Sequence, residues 1–157
     1  MAEDYQIRRA GPADDSGVMR ELTAYFRFLG EDVDPAGLDH DVADWQGEYD
    51  GAAGVMLVVI DPAGDVVGTA AVRRLAPEVV ELKRMWLRPD HRGRGLAARL
   101  MDRVLEEARA LGGRVLRLDS EARLQAAVRL YRRYGFQEIP DYNGNPRADV
   151  WMERPLA

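Results

Sequence analysis

Apolar residues recur along the chain in two rhythms, and each rhythm marks an element. Tyr5 to Arg8 reads as a short first strand, closed by Gly11-Pro12, with Asp14, Asp15 or Ser16 placed to cap a helix. Val18, Leu22, Tyr25, Phe26 and Leu29 then fall at helical spacing, and Gly30 fits the position just past a helix end. Leu38, Val42, Trp45 and Tyr49 repeat that spacing and predict a second helix after Pro35. Gly51 and Gly54 break the chain. Two apolar runs, Val55 to Ile60 and Val66 to Val72, flank Asp61-Pro62-Ala63-Gly64-Asp65 and predict a hairpin. A third strand is expected from Val79 to Leu87. There Val79, Glu81, Lys83, Met85 and Leu87 alternate with Val80, Leu82, Arg84, Trp86 and Arg88, so both faces mix apolar with charged residues. Such a strand suits the wall of a partly wet cleft.

Beyond Pro89 the pattern is clearest. Ala97, Leu100, Met101, Val104, Leu105, Ala108 and Leu111 form one apolar stripe, opposed by Arg99, Asp102, Arg103, Glu106 and Glu107, which predicts an amphipathic helix. Gly112-Gly113 ends it, Arg114 to Leu118 supplies another strand, and Leu124, Ala127, Val128 and Tyr131 share one face of a further helix that stops at Gly135. Phe136 to Ile139 and Val150 to Arg154 read as a closing strand pair around a loop with Asn143-Gly144. Strand, helix, strand, helix is an α/β pattern, and 157 residues without a repeat or linker bound it to a single domain, 1–157.

Composition narrows the function. No apolar run approaches the roughly 20 residues of a membrane span, and the acidic start Met1-Ala2-Glu3-Asp4 is unlike a signal peptide, so a cytoplasmic protein is expected. The absence of cysteine excludes disulfides and thiolate catalysis, and two distant histidines, His40 and His91, are a poor ligand set, so no metal is expected. A net charge of -5 argues against a general nucleic-acid binder, yet leaves room for a local basic patch that holds an anionic ligand.

Such a patch lies in the turn Arg88-Pro89-Asp90-His91-Arg92-Gly93-Arg94-Gly95, between the third strand and the amphipathic helix. Glycines let backbone approach a ligand, the first helical N–H groups lack intrahelical partners, and the helix dipole favours negative charge there. Arg92 and Arg94 add donors suited to phosphate. Neither a Walker loop nor a Rossmann fingerprint fits the spacing.

The hexapeptide Arg92-Gly93-Arg94-Gly95-Leu96-Ala97 resembles the acetyl-coenzyme A signature of the GNAT superfamily of N-acetyltransferases, Arg/Gln-x-x-Gly-x-Gly/Ala. Glu81 to Pro89 is similar to that superfamily's central strand, and Leu130-Tyr131-Arg132-Arg133-Tyr134-Gly135-Phe136 to its later helix ending in Gly-Phe. The resemblance implies a mixed, mostly antiparallel sheet that splays at the acetyl-coenzyme A site, with flanking helices. It implies that the backbone of Met85, Trp86 and Leu87 runs beside the pantetheine arm. The amides of Arg92, Gly93, Arg94, Gly95, Leu96 and Ala97 are then expected to take the pyrophosphate. Many members carry an asparagine seven residues before the helix tyrosine; here that position is Leu124, and Gln125 is its expected replacement.

Transfer from a thioester to an amine needs a proton acceptor for the amine and a donor for the departing sulfur. By the same resemblance Glu81 is the expected base and Tyr131 the expected acid. A salt-bridged Glu81, paired with Lys83 or Arg84, and a core tyrosine are the competing structural readings. His91 reads as a solvated surface histidine, Tyr134 as a packing residue, and Tyr142 as a loop aromatic able to reach the acceptor pocket. The expected activity is direct acetyl transfer to a small amine or amino-acid-like metabolite, by a monomer or homodimer, with a protein amino group as the alternative acceptor. A non-catalytic acetyl-coenzyme A sensor would keep the loop without depending on Glu81 or Tyr131, and a nucleic-acid binder would use the arginines from Arg84 to Arg103 as a phosphate track.

Overall fold

The apolar runs pair into one sheet of seven strands, in the order β1-β2-β3-β4-β5-β7-β6, in a computed structural model that describes residues 4–157. The acidic start at Met1 to Glu3 lies outside the described residues. The strands are β1 (Gln6–Arg9), β2 (Gly54–Ile60), β3 (Val66–Ala76), β4 (Val79–Leu87), β5 (Val115–Ser120), β6 (Gln137–Glu138) and β7 (Val150–Pro155). Every neighbouring pair is antiparallel except β4 and β5, which α4 (Leu96–Ala110) connects as a parallel crossover. The strand and helix bounds expected from the sequence hold to within a few residues, with one exception. The single helix after Pro35 is two separate turns, α2 (His40–Ala43) and α3 (Trp45–Glu48), because the Asp44 side chain accepts from the Gly47 amide and starts a new helix.

Two apolar layers sandwich the sheet. On one face α1 (Asp15–Leu29) packs Val18, Leu22 and Phe26 with Trp45, Met56, Val58 and Ala71. Each such fully buried side chain contributes about 1.5–3 kcal/mol relative to exposure. On the other face α4 and α5 (Gln125–Arg133) bury Leu100, Met101, Val104, Leu130 and Tyr131 against Leu57, Val80, Leu82 and Leu116.

Two irregularities of β4 create the cleft. Its pairing with β5 runs only from Val79 to Glu81, after which β5 continues against β7 alone and the two parallel strands part. On the β3 side, the single residue Ala70 faces both Arg84 and Met85, a β-bulge that places Arg84 at φ 58°. The bulge corrects the simple alternation read from the sequence. Met85 and Leu87 join Val80 and Leu82 on the α4 face, whereas Trp86 shares the α1 face with Glu81 and Lys83.

Candidate active site

The turn between β4 and α4 is shaped by backbone geometry. Gly93 and Gly95 adopt φ of 78° and 76°, a region that costs an L side chain about 1–2 kcal/mol. A Cβ at either glycine meets nothing within 4 Å, so glycine is required there for conformation and not for space. Among the described residues, the amides of Gly93, Arg94 and Gly95 donate to no protein acceptor, and those of Leu96 and Ala97 follow at the open helix N-terminus. The Arg92 amide is different, since it donates to the Pro89 carbonyl at 3.2 Å. Gly95→Ala is therefore expected to weaken coenzyme A binding by about tenfold, measured by titration calorimetry, through misaimed amides.

Arg92 does not extend toward these amides. Its Nε donates to the Leu87 carbonyl at 2.8 Å, and its guanidinium lies over the rings of Phe28 and Trp86 at 5.0 and 5.2 Å. The side chain thus ties the loop to the end of β4, and burial lowers its pKa. Arg94 forms no contact of this kind and remains the loop's unpaired cation. Gln125 is exposed at the first turn of α5, and no protein partner holds it.

Where β4 and β5 part, Glu81 is 1% exposed. Lys83 and Arg84, the partners of the competing salt-bridge reading, do not bind it. Arg73, directly opposite on β3, takes Oε1 at 3.0–3.1 Å, and the Tyr142 hydroxyl donates to Oε2 at 2.7 Å. Burial, then the charge and acceptor of Glu81, push the Tyr142 pKa far above its ordinary value, and the Arg117 guanidinium stacks 5.4 Å from its ring. Asn143, the next residue, donates to Asp119 at the end of β5.

Tyr131 of α5 is also buried, and its ring meets Phe136 edge-on at 5.8 Å. Its hydroxyl donates to no protein group. Every fully enclosed side-chain N or O among the described residues has a partner, so this hydroxyl must touch solvent at the cleft. Desolvation foremost, with the fields of Tyr25 and Asp119, raises its pKa and keeps it protonated. Tyr25 on α1 feels Arg84, Asp119 and Glu121 from the same space, and burial pushes it to about 12. Tyr25, Tyr131 and Tyr142 all feel the charge of Asp119, a link that sequence reasoning missed. Its only sequence signal is an acid where an apolar strand stops.

Other expectations divide. Tyr134 packs as expected, its hydroxyl donating to the Ala98 carbonyl and Asp102 at 2.9 Å. His91 is not simply solvated: Nδ1 lies 2.6 Å from the Tyr5 hydroxyl, and only 15% of its side chain is exposed. Among the described residues no cluster of three or more His, Cys, Asp or Glu is arranged to hold a metal, and no helix is long and apolar enough to cross a membrane.

The far end of the cleft is strapped. Arg147, in the loop before β7, donates to Asp39 at 2.9 and 3.0 Å and to the Asp32 carbonyl at 2.8 Å, joining that loop to the segment between α1 and α2. Arg84 reaches the same segment through Asp39 at 3.0 Å and α2 through Asp41 at 2.7 Å.

A family model described as the acetyltransferase (GNAT) family matches residues 17–136. An IAA acetyltransferase of Azospirillum brasilense is 31% identical over 96% of this chain and 97% of its own. An L-methionine sulfoximine/L-methionine sulfone acetyltransferase of Pseudomonas paraeruginosa is 34% identical over 83% of this chain and 79% of its own. A GNAT-family acetyltransferase structure from Staphylococcus aureus superposes with a TM-score of 0.86 over 98% of this chain and 99% of that one, at 17% identity, which speaks to the fold.

Proposed function

The chain belongs to the acetyltransferase (GNAT) family and is an acetyl-coenzyme A-dependent N-acetyltransferase, and from that premise we propose that it moves acetyl directly onto the primary amine of a small, amino-acid-like metabolite. The observation that carries this reading is that the chain holds two buried proton-handling groups, one on α5 and one on β4 where its pairing with β5 ends. One is a protonated Tyr131 hydroxyl without a protein partner; the other is the Glu81 carboxylate, reached through Tyr142.

Acetyl-coenzyme A supplies the acetyl group as a thioester. The free amides from Gly93 to Ala97 suit its pyrophosphate, and the β4 backbone from Met85 to Leu87, past the last β5 pair, suits its extended arm. Gln125, exposed at the first turn of α5, is assigned as the replacement for asparagine. Arg73 fixes one oxygen of Glu81, so the other is aimed at Tyr142. The amine proton passes to the Tyr142 oxygen as the Tyr142 proton passes to Glu81. Tyr131 gives its proton to the departing sulfur and regains one from solvent. The amine nitrogen bonds to the acetyl carbon as carbon–sulfur bonding is lost, and no residue need be acylated.

A small acceptor is favoured by the Arg147 strap, which closes the cleft end that a polypeptide would need open. The two relatives above, whose names give small-molecule substrates, support the same choice. An amine panel followed by free-thiol release tests the activity and the acceptor together. Glu81→Gln is expected to lower turnover by about 10²-fold and to flatten its rise with pH. Asp119 offers a second proton route, favoured by its field at three tyrosines. Wild-type turnover in Glu81→Gln with a slow Asp119→Asn would move the base to Asp119.

A further inference from the structure

Lys83 is the only lysine in the chain, against twenty-one arginines. It lies opposite Ala71 on β3, one residue before the bulge, and shares the cleft face with Glu81, which lies opposite Arg73. The other cations of that face are committed. Arg73 holds Glu81, Arg84 holds Asp39 and Asp41, and Arg147 holds Asp39. Lys83 is half-buried and makes no ion pair or hydrogen bond among the described residues. Its field is felt at Asp41, but both oxygens of that carboxylate are taken, one by Arg84 Nη2 and the other by Arg84 Nε and the Tyr49 hydroxyl.

A half-buried lysine whose three donors meet no acceptor among the described residues is open to an anion that reaches it. The surrounding arginines are fixed by planar, two-pronged pairing, whereas a lysine is a mobile point charge that can meet a ligand. Two residues along a strand separate Lys83 from Glu81 by about 7 Å of backbone. An acceptor whose amine faces the Glu81–Tyr142 pair therefore has Lys83 within reach of a group a few bonds away. We propose that Lys83 binds the carboxylate of the acceptor, so that the substrate class is amino acids rather than simple amines or polyamines. The proposal rests on the acetyl-transfer reading above and adds the second recognition point that reading lacks.

The test is a matched panel: amino acids, each beside its carboxamide and its decarboxylated amine, assayed by thiol release with wild type, Lys83→Met and Lys83→Arg. Variants are taken forward once coenzyme A is shown to raise their melting temperature as it does for wild type. Wild type is expected to prefer the amino acid over the decarboxylated amine in kcat/KM. Lys83→Met should cut that preference by about tenfold or more, mainly through KM, and Lys83→Arg should keep most of it. Equal use of amino acids and decarboxylated amines by wild type, or an unchanged preference in Lys83→Met, overturns the proposal and leaves acetyl transfer standing. Turnover of no amine in the panel overturns the function on which it rests, and the proposal with it.

Discussion

Replacing Tyr131 by phenylalanine is expected to lower turnover by about 10²- to 10³-fold while leaving coenzyme A affinity within about twofold. The change removes one oxygen that bonds to no protein group, and it keeps the ring that packs on Phe136. Thermal stability should therefore stay near wild type, which separates this variant from an ordinary core substitution. The same buried setting that raises the hydroxyl's pKa keeps its proton in place at neutral pH, and a departing thiolate is the base that takes it. If the hydroxyl only packs, turnover remains at the wild-type level. Single-turnover kinetics with saturating amine is the deciding measurement, because it isolates the chemical step from product release.

Most of what positions this site is local, and local patterns are legible. The strand expected from Val79 to Leu87 has the bounds of β4 although both its faces mix apolar with charged residues, and the stripe from Ala97 to Leu111 marks α4 and hence the loop before it. The bulge was not legible. A period of two has no mark for one inserted residue, and an arginine at positive φ is the last residue type by which to expect one. That one residue moved Trp86 to the α1 face, where it meets Tyr25, Phe28 and Glu21. Arg73 was not legible either, since folding the β3–β4 hairpin about Pro77 and Glu78 sets Arg74 opposite Glu81, and a second register shift, between Arg74 and Ala76, brings Arg73 there instead. The Arg147–Asp39 bond joins residues 108 apart, and no periodicity connects them. The site's donor half is thus local backbone, whereas its acceptor half is a set of long-range ion pairs.

The strongest of those ion pairs gives the largest expected effect on stability. Arg84 is 9% exposed and its partners Asp39 and Asp41 are 0% and 1% exposed; Asp39 keeps Arg147, so Arg84→Met leaves Asp41 as the buried carboxylate without its cation. Loss of one partner in such a pair costs about 3–5 kcal/mol, and in a chain of this size each kcal/mol shifts the melting temperature by about 2–4 °C. The expected drop is about 6–20 °C by scanning calorimetry, larger than for any exposed pair such as Arg132–Glu138. Its pH dependence fixes the cause. Burial alone would raise the Asp41 pKa, but the hydrogen bonds and charge of Arg84, with the Tyr49 hydroxyl and the field of Lys83, hold it at about 2 instead of 3.8. A depressed carboxylate pKa stabilises the fold above the unfolded value and loses that contribution as pH falls toward the folded one. The gap between wild type and Arg84→Met should therefore narrow as pH falls, starting where the variant's Asp41, left to burial, takes up its proton and ending near pH 2, where the wild-type carboxylate does. A gap that is constant with pH would assign the loss to packing on Phe26, whose ring lies 5.4 Å from the guanidinium, or to relaxation of the bulge. Because Arg84 occupies the bulge that aims β4 along the cleft, the variant should also lose coenzyme A affinity at temperatures where it remains folded.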